Sequence, residues 1–266
     1  MDLITVREVR TATRRDEIVF DHGERPLAGG SWLFSEPQPG LTGLVDLTTM
    51  GWAPLEVTDS YLHIAATCTF AELMKLERRE EWLAYDLIGE ACNSLLGSFK
   101  VWNVATIGGN ICLALAAAPM TAFAAAMDAT AVLWAPDGSD RVIPVADLVL
   151  GERQTVLAEG EVMREIRVPR SSLESQTGFR RISLTPLGRT ATMVITRRDP
   201  SGEVTFTVAG GTDHPQVLRF DDVPSSAALA SAIDSLTGWF TDAHGAADWR
   251  RAMSVRLAGE LRDELS

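Results

Sequence analysis

Two short segments with adjacent glycines are the residues best suited to binding chemistry in this chain. The first glycine segment is Leu27-Ala-Gly-Gly-Ser-Trp32, and the second, about eighty residues later, is Asn103-Val-Ala-Thr-Ile-Gly-Gly-Asn110. Adjacent glycines let backbone N–H groups face an anion, because no Cβ atom stands in the way. Two such loops suit a ligand with a charged phosphate bridge, such as a dinucleotide. The alternative for each loop taken alone is an ordinary tight turn.

Neither glycine segment follows a common nucleotide-binding pattern. The spacing is not GxGxxG between a strand and a helix, and it is not GxxxxGK[ST]. This argues against a Rossmann or P-loop site. The hydroxyl groups of Ser31 and Thr106 could add hydrogen bonds to a phosphate. Asn110 could donate its amide to a phosphate oxygen, or it could instead hold the loop through a local turn contact.

Composition narrows the classes of partner. The chain has 266 residues, is 46% hydrophobic and carries a formal net charge of -12. It can therefore bury a sizeable core, and it lacks the excess of Lys and Arg that nucleic acid binding requires. No apolar run approaches the ~20 residues that span a bilayer. The first ten residues lack the basic start and apolar centre of a signal peptide, so we expect a cytoplasmic protein.

The cysteines and histidines do not form a metal-binding pattern. Cys68, Cys92 and Cys112 are widely spaced, with no CxxC pair, and the four histidines show no HExxH spacing. We therefore expect ordinary buried thiols and no metal bound by this chain.

Short apolar runs separated by Gly and Pro predict strands up to about residue 56. These predicted strands cover residues 18–20, 25–28 and 44–47. The first glycine segment then follows a strand directly. For Trp32, just past that turn, packing in the core is the simpler interpretation.

From about residue 57 to 170 the pattern changes between strands and helices. Thr69 with Glu72 predicts a capping box at the start of a short helix. Apolar spacing that includes Leu83 predicts a helix over residues 80–96, ended by Gly97. The other predicted elements are a strand at 62–66, a helix at 122–129 capped by Thr121, a hairpin of strands 131–134 and 141–143, and a strand at 162–168.

The last part of the chain, from about residue 171, has strand patterns followed by helical ones. The predicted strands cover residues 179–183, 192–196 and 204–208, and two amphipathic helices have apolar stripes over 229–240 and 249–261. The turn between the last two strands is predicted at 200–202.

The glycine segments and their surroundings resemble a known family, the FAD-binding medium subunit of molybdenum hydroxylases. This group contains carbon monoxide dehydrogenase and xanthine dehydrogenase. The family carries Ala-Gly-Gly-(Thr, His or Ser) near its N-terminus and Thr-Ile-Gly-Gly-Asn after its first long helix. This chain has Ala28-Gly-Gly-Ser31 and Thr106-Ile-Gly-Gly-Asn110. The likeness continues through residues 44–47, 64–73 and 162–169, and so spans nearly the whole chain.

The resemblance implies an α+β fold of the PCMH type (vanillyl-alcohol-oxidase-like) that binds FAD. Residues 1–56 and 57–170 would form two FAD-binding α/β lobes, and residues 171–266 a C-terminal lobe of antiparallel strands and helices. The cofactor-binding residues that it implies are Leu27, Ala28, Gly29, Gly30, Ser31, Trp32, Leu96, Thr106, Ile107, Gly108, Gly109, Asn110, Met163 and Arg180.

Two of these residues would lie at the flavin ring. The backbone of Met163 matches a family position along the ring edge. Arg180 falls where the family often has a lysine, and a cation there would stabilise the reduced, anionic flavin. The alternative for Arg180 is a solvated charge on a strand beside Arg181.

The resemblance also implies a function and partners. Electrons would pass from a molybdopterin-binding large subunit through a [2Fe-2S] small subunit to FAD on this chain, and then to an external acceptor. Such a subunit needs no general acid, base or nucleophile, because the protein binds, orients and tunes the flavin. A dimer of heterotrimers is expected, with no nucleic acid and no membrane span.

Three departures from the family pattern bear on how FAD would be held. Pro119 stands where the family usually has an acidic residue that contacts the sugar chain of the flavin. The first glycine segment continues with Ser31 and Trp32, and residues 188–191 replace an Asp-Tyr-Ala-like element. A third glycine pair, in residues 209–214, resembles the family's first loop by its letters, but its late position indicates a structural turn.

Two other functions stay open on the sequence. One is a stand-alone flavin oxidoreductase of the same fold, which would need acid–base residues near the ring. The other is a structural or assembly subunit that keeps the fold without FAD, for which Pro119 and Trp32 are the best support.

Overall fold

The computed structural model describes residues 3–265 and shows an α+β protein. The strands are β1 (Glu8–Thr11), β2 (Glu24–Leu27), β3 (Gly43–Asp46), β4 (Leu55–Val57), β5 (Tyr61–Ala65), β6 (Thr130–Trp134), β7 (Asp140–Pro144), β8 (Val149–Gly151), β9 (Gln154–Thr155), β10 (Val162–Pro169), β11 (Gln176–Ile182), β12 (Thr192–Arg198), β13 (Val204–Ala209) and β14 (Gln216–Phe220). The helices are α1 (Phe70–Leu73), α2 (Tyr85–Ser94), α3 (Phe99–Trp102), α4 (Ile107–Leu113), α5 (Pro119–Ala126), α6 (Val145–Leu148), α7 (Arg170–Leu173), α8 (Ser226–Asp234) and α9 (Ala247–Glu264).

The first sheet is parallel, with β3 between β1 and β2. Gly43, Leu44 and Val45 of β3 are buried, as the central strand of a parallel sheet requires. The strands predicted at 25–28 and 44–47 are confirmed within a residue, but the one at 18–20 is wrong. Ile18 is buried and contributes its side chain to the core from a segment with no strand pairing.

The second sheet is antiparallel, in the order β4-β5-β10-β6-β7. The predicted strands at 62–66 and 162–168 and the hairpin at 131–134 and 141–143 are all present. The capping box is also confirmed: Thr69 Oγ1 accepts from the Glu72 amide, and the Glu72 carboxylate accepts from the Thr69 amide at 2.8 Å. It starts α1 directly after β5 and a short turn.

Two helix predictions in this region have wrong limits. α2 starts at Tyr85 rather than at residue 80, and it ends at Ser94, before Gly97. Residues 80–84 are not helical, because they fold Trp82 into the core, and Leu83 is left 55% exposed. α5 starts at Pro119, a residue well suited to the first position of a helix. Thr121 therefore lies inside α5 and does not cap it.

α5 is the helix at the centre of the molecule. All eight of its residues are buried, and it packs against the helices α2, α4 and α6 and against the strands β12 and β13. A helix that is apolar on every side is typical of such a buried position. Its four alanines allow the neighbouring elements to approach closely.

The third sheet is the antiparallel meander β11-β12-β13-β14, of which β14 was not predicted. α8 and α9 cover it with Leu229, Ile233, Leu257 and Leu261. The first of these helices ends at Asp234, so the apolar stripe predicted as far as residue 240 continues beyond the helix. The turn at 200–202 is confirmed.

No helix within residues 3–265 combines the length and apolar character that crossing a membrane requires. The three large sheets follow one another along the chain, while the lobe limits at residues 56 and 170 stay a prediction.

Candidate functional site

A cavity of about 610 Å³ brings together residues from all three sheets and their connections. Most of the predicted site residues line it: Leu27, Ala28, Gly29, Gly30, Ser31, Trp32, Leu96, Thr106, Gly108, Gly109, Asn110 and Met163. The glycine segments thus face one common space, as a single extended ligand requires. Ile107 and Arg180 are the two predicted residues that do not line it.

The first glycine segment offers free backbone donors. It leaves β2 and turns at Gly30, where φ is +66°. The N–H groups from Ala28 to Trp32 have no hydrogen-bond acceptor among the described residues. Consecutive N–H groups without internal partners form a concave anion-binding surface.

Gly29 fixes the position of this segment by close packing. A Cβ atom on Gly29 would lie 1.6 Å from the carbonyl oxygen of Val104, so only glycine fits there. The first glycine segment therefore rests on the chain that leads into α4. Trp32 adds a buried indole Nε1 with no hydrogen-bond partner in the described structure. A buried donor without an acceptor costs about 1–3 kcal/mol, which a ligand oxygen would offset.

The second glycine segment is not a loop with free amides, and this expectation from the sequence is wrong. Residues 107–113 form α4, and the N–H groups of its first turn are already bonded. Ile107 donates to the carbonyl of Cys68 at 2.8 Å, and Gly108 to that of Ala66 at 3.0 Å. The Gly109 amide donates to Thr106 Oγ1, the N-cap, at 3.2 Å. The carbonyls after β5 thus take the donors that a phosphate would have used.

Glycine is still needed in the second segment, for contact. A Cβ atom on Gly108 would lie 2.5 Å from the Cβ atom of Ala66. Gly109 meets only Thr106 Oγ1 and otherwise faces open space in the cavity. The segment therefore supplies a smooth wall, while the first glycine segment supplies the donors.

Asn110 links α4 to α5. Its Oδ1 accepts from the amide of Met120, at 3.0 Å and ten residues away, so the bond is not a local turn contact. Its Nδ2 has no acceptor within residues 3–265 and can donate into the cavity. Pro119, which lines the cavity, has no N–H group, and Asn110 satisfies the next amide along α5.

Arg180 and Ile107 lie outside the cavity. Arg180 extends toward α9, where its guanidinium pairs with Glu264. Ile107 is 1% exposed and belongs to the core. The third glycine pair, Gly210-Gly211, is not among the lining residues, which agrees with its interpretation as a structural turn.

Arg189 and Thr190, in the connection between β11 and β12, do line the cavity. The sequence pointed to this stretch only as a departure from the family pattern, and it did not identify a site residue there. The departure itself could have pointed to a site residue, because charged and polar residues in place of a family motif indicate a different contact at that position.

The electrostatics of the cavity differ from those of the whole chain. Its charged lining residues are Arg25, Glu161 and Arg189. Arg141 makes hydrogen bonds to both oxygens of Glu161 and holds the pKa of that carboxyl below its usual value. Neither Arg25 nor Arg189 has an ion-pair partner among the described residues. An acidic protein with a net charge of -12 therefore has a basic cavity.

The remaining titratable group in the cavity is Cys112. Burial raises the pKa of its thiol to about 12, so it stays protonated at neutral pH and is a poor nucleophile. Within residues 3–265 no cluster of His, Cys, Asp and Glu is arranged to hold a metal ion. The cavity has the properties of a binding site for a large anionic ligand.

Comparison with known proteins identifies the ligand class. The family model for the FAD binding domain in molybdopterin dehydrogenase matches residues 5–171. The chain belongs to this family. The predicted cofactor, FAD, and membership of a family of oxidoreductase complexes are therefore confirmed.

Solved structures of similar fold cover the whole length of this FAD-binding protein. Carbon monoxide dehydrogenase from Hydrogenophaga pseudoflava, lacking the Mo-pyranopterin moiety of its cofactor, has a TM-score of 0.83 and 21% identity over 98% of this chain and 97% of that chain. Reconstituted CO dehydrogenase from Oligotropha carboxidovorans has a TM-score of 0.83 and 18% identity, and the match covers 100% of both chains. Quinoline 2-oxidoreductase from Pseudomonas putida 86 has a TM-score of 0.82 and 17% identity, over 100% of this chain and 98% of that chain. No curated protein matches the sequence.

The residues of the cavity fit FAD. Its volume lies within the range of cofactor pockets, about 300–1,000 Å³. The free amides of the first glycine segment suit the pyrophosphate, and the unpaired arginines balance its negative charge. Leu95, Leu157 and Met163 give apolar walls against which ring systems can pack.

Proposed function

We propose that this chain is the FAD-binding electron-transfer subunit of a molybdenum hydroxylase complex. The observation that carries the proposal is the basic cavity shared by both glycine segments, in a chain of the molybdopterin dehydrogenase FAD-domain family. A molybdopterin-binding large subunit and a [2Fe-2S] small subunit would be its partners, in a cytoplasmic dimer of heterotrimers. The substrate pocket would then lie on the large subunit.

The residues of the chain would bind and orient the cofactor. The amides from Ala28 to Trp32 would hold the pyrophosphate, together with the indole N–H of Trp32. The Asn110 amide would donate to a phosphate or sugar oxygen, while its carbonyl keeps α5 in place. The other proposed cofactor contacts are Leu27, Leu96, Thr106, Gly108, Gly109 and Met163.

FAD, when bound, accepts and releases electrons one or two at a time. The protein contributes by excluding water from the ring and by fixing the electrostatic field around it. Glu161 is held ionised by Arg141, and Cys112 is protonated, so neither is free to exchange protons with the ring at neutral pH. This arrangement suits electron transfer better than acid–base chemistry.

The test is to purify the chain from its source organism with an affinity tag and to analyse what accompanies it. We expect flavin absorption bands together with molybdenum, iron and two further polypeptides. Light scattering would give the mass of the assembly, and cell fractionation its compartment. Wild-type protein without flavin bands, even after incubation with FAD, would contradict the cofactor assignment.

Two alternatives predict different outcomes in the same experiment. An active flavoprotein recovered as a single chain, without molybdenum or iron, would indicate a stand-alone oxidoreductase. A complex with metals but without flavin on this chain would indicate a structural subunit. Pro119 in place of an acidic residue is the observation that favours this last alternative, and the free donors around the cavity oppose it.

A further inference from the structure

The connection that carries Arg189 is held in place by contacts of the next residue, Thr190. Thr190 Oγ1 accepts a hydrogen bond from Arg181 Nη1 at 3.1 Å. The methyl group of Thr190 lies 3.5 Å from the position that a Cβ atom on Gly210 would occupy. The Gly210 amide donates to the carbonyl of Ala116 at 3.0 Å. The connection that carries Arg189 is therefore fixed beside the chain that follows α4.

The backbone around Arg189 is fixed from the other side as well. Arg250 of α9 is 1% exposed and donates to the carbonyls of Ala191 and Gly210, at 2.7 and 2.6 Å. Thr192 and Ser254 add a hydroxyl–hydroxyl hydrogen bond of 2.7 Å. Arg189 itself makes no hydrogen bond or ion pair within residues 3–265. A rigid backbone thus presents an uncommitted guanidinium to the cavity.

The first glycine segment and the connection that carries Arg189 contact the chain on either side of α4. The first glycine segment touches Val104, just before the helix, and Thr190 packs near Gly210, whose amide bonds to Ala116 just after it. A seven-residue helix spans ~10 Å. A dinucleotide with its pyrophosphate on the first glycine segment could therefore reach Arg189 with one of its halves, because that segment, Arg189 and α4 line the same cavity.

We propose that this half is the flavin and that Arg189 stabilises its reduced form. The inference rests on FAD binding in this cavity. Uptake of two electrons and one proton leaves one additional negative charge on the flavin ring. A guanidinium stays protonated at any physiological pH, and partial burial reduces the screening of its charge by water. Arg189 therefore favours the reduced ring over the oxidised one and raises the reduction potential.

Arg180 provides a matched control in β11, the strand that leads into the connection carrying Arg189. The resemblance placed a flavin-stabilising cation at Arg180, yet this residue pairs with Glu264 outside the cavity. Both variants, Arg180→Gln and Arg189→Gln, remove one positive charge from β11 or the connection that follows it. Only Arg189→Gln removes it from the cavity.

The experiment measures the flavin in full-length protein, in whatever assembly it is purified. Stoichiometry comes from absorbance, the Kd for FAD from fluorescence, and the midpoint potential from dithionite titration against a reference dye. We expect Arg189→Gln to weaken the preference for reduced flavin about tenfold, which for a two-electron couple lowers the potential by about 30 mV. Arg189→Lys should stay near wild type, and Arg180→Gln should be unchanged.

The contrary outcomes are distinct. A weaker Kd for FAD in Arg189→Gln with an unchanged potential would place Arg189 at the adenosine half, and the proposal would be wrong. An equal shift of the midpoint potential in Arg180→Gln would show that the effect comes from general surface charge, and the proposal would again be wrong. Wild-type protein that binds no FAD would contradict the cofactor assignment itself, which is a separate result. Melting curves of each variant verify that it is folded.

Discussion

Several residues of the cavity matter because of a missing side chain or an unused hydrogen-bond donor. Gly29 has ordinary backbone angles, yet its missing side chain lets two distant segments touch. The backbone donors of the first glycine segment are useful because nothing within the described chain uses them. Asn110 divides its two polar atoms, with the oxygen committed to α5 and the nitrogen free.

Replacing Gly29 with alanine should displace the first glycine segment. The added methyl group would overlap the Val104 carbonyl, so we expect a loss of about 2–4 kcal/mol in unfolding free energy. FAD affinity should fall by at least tenfold, measured by fluorescence titration. Gly89 is the control, because a Cβ atom there meets nothing within 4 Å. Gly89→Ala should stabilise α2 by about 0.5–1 kcal/mol.

Asn110→Asp and Asn110→Ala separate the two functions of Asn110. Aspartate keeps an acceptor for the Met120 amide but replaces the free donor with a negative charge. We expect it to fold with little loss of stability and to bind FAD about 10–100-fold more weakly. Alanine loses both contacts and should also lower the melting temperature. Equal FAD affinity in Asn110→Asp and wild type would show that the amide nitrogen does not contact the cofactor.

At the scale of elements, α4 shows how tertiary structure decides what a sequence segment becomes. Thr-Ile-Gly-Gly-Asn has low intrinsic helix propensity, so a loop was the reasonable prediction. The carbonyls of Ala66 and Cys68 nevertheless accept its first two amides and hold it as a helix. Those partners lie far away in the chain, where no local pattern could reveal them. Free amides were predicted in both glycine segments, and among the described residues only the first segment has them.

The other limits of sequence reasoning have similar causes. The capping box at Thr69 is local and was predicted in full, with its partner Glu72. The start of α2 was wrong because Trp82 is drawn into the core and stops the helix from extending backward. Arg180 matches the family position in sequence, but its side chain turns toward α9 because it pairs with Glu264 there.

Thr106→Ala should weaken the start of α4. The variant leaves the Gly109 amide without its cap, so we expect a loss of about 1 kcal/mol in a denaturant titration. Thr106→Ser keeps the hydroxyl and should retain most of the stability. If alanine and serine behave alike, the hydrogen bond at the helix start contributes nothing and the difference from wild type reflects the methyl group.

At the scale of the whole molecule, Asp128 joins the central helix to the third sheet. It follows α5 with φ of +51°, and its carboxylate pairs with Arg197 of β12 at 2.5 Å and with Arg219 of β14. Burial alone would raise the pKa of Asp128, but hydrogen bonds from Arg219 and Arg197 outweigh it and hold the pKa below its usual value. These pairs connect two parts of the chain that each have their own sheet.

The stability that Asp128 contributes depends on pH. Because its folded pKa is lowered, the contribution is present above the unfolded pKa of about 3.9 and is lost as the pH falls through the folded value. Asp128→Asn, which tolerates the positive φ, should cost about 1 kcal/mol at pH 7. We expect the difference from wild type to shrink below about pH 4 in denaturant titrations. A difference that stayed constant down to pH 3 would assign the effect to packing.

The buried guanidinium of Arg250 makes α9 a remote support for one wall of the cavity. It ties α9 to the carbonyls of Ala191, next to Thr190, and of Gly210, and it does not line the cavity itself. A substitution that disrupts α9 would therefore loosen the cavity wall at Arg189 and Thr190, although every lining residue was unchanged. Such a variant would show altered cofactor binding although the substituted residue does not line the cavity.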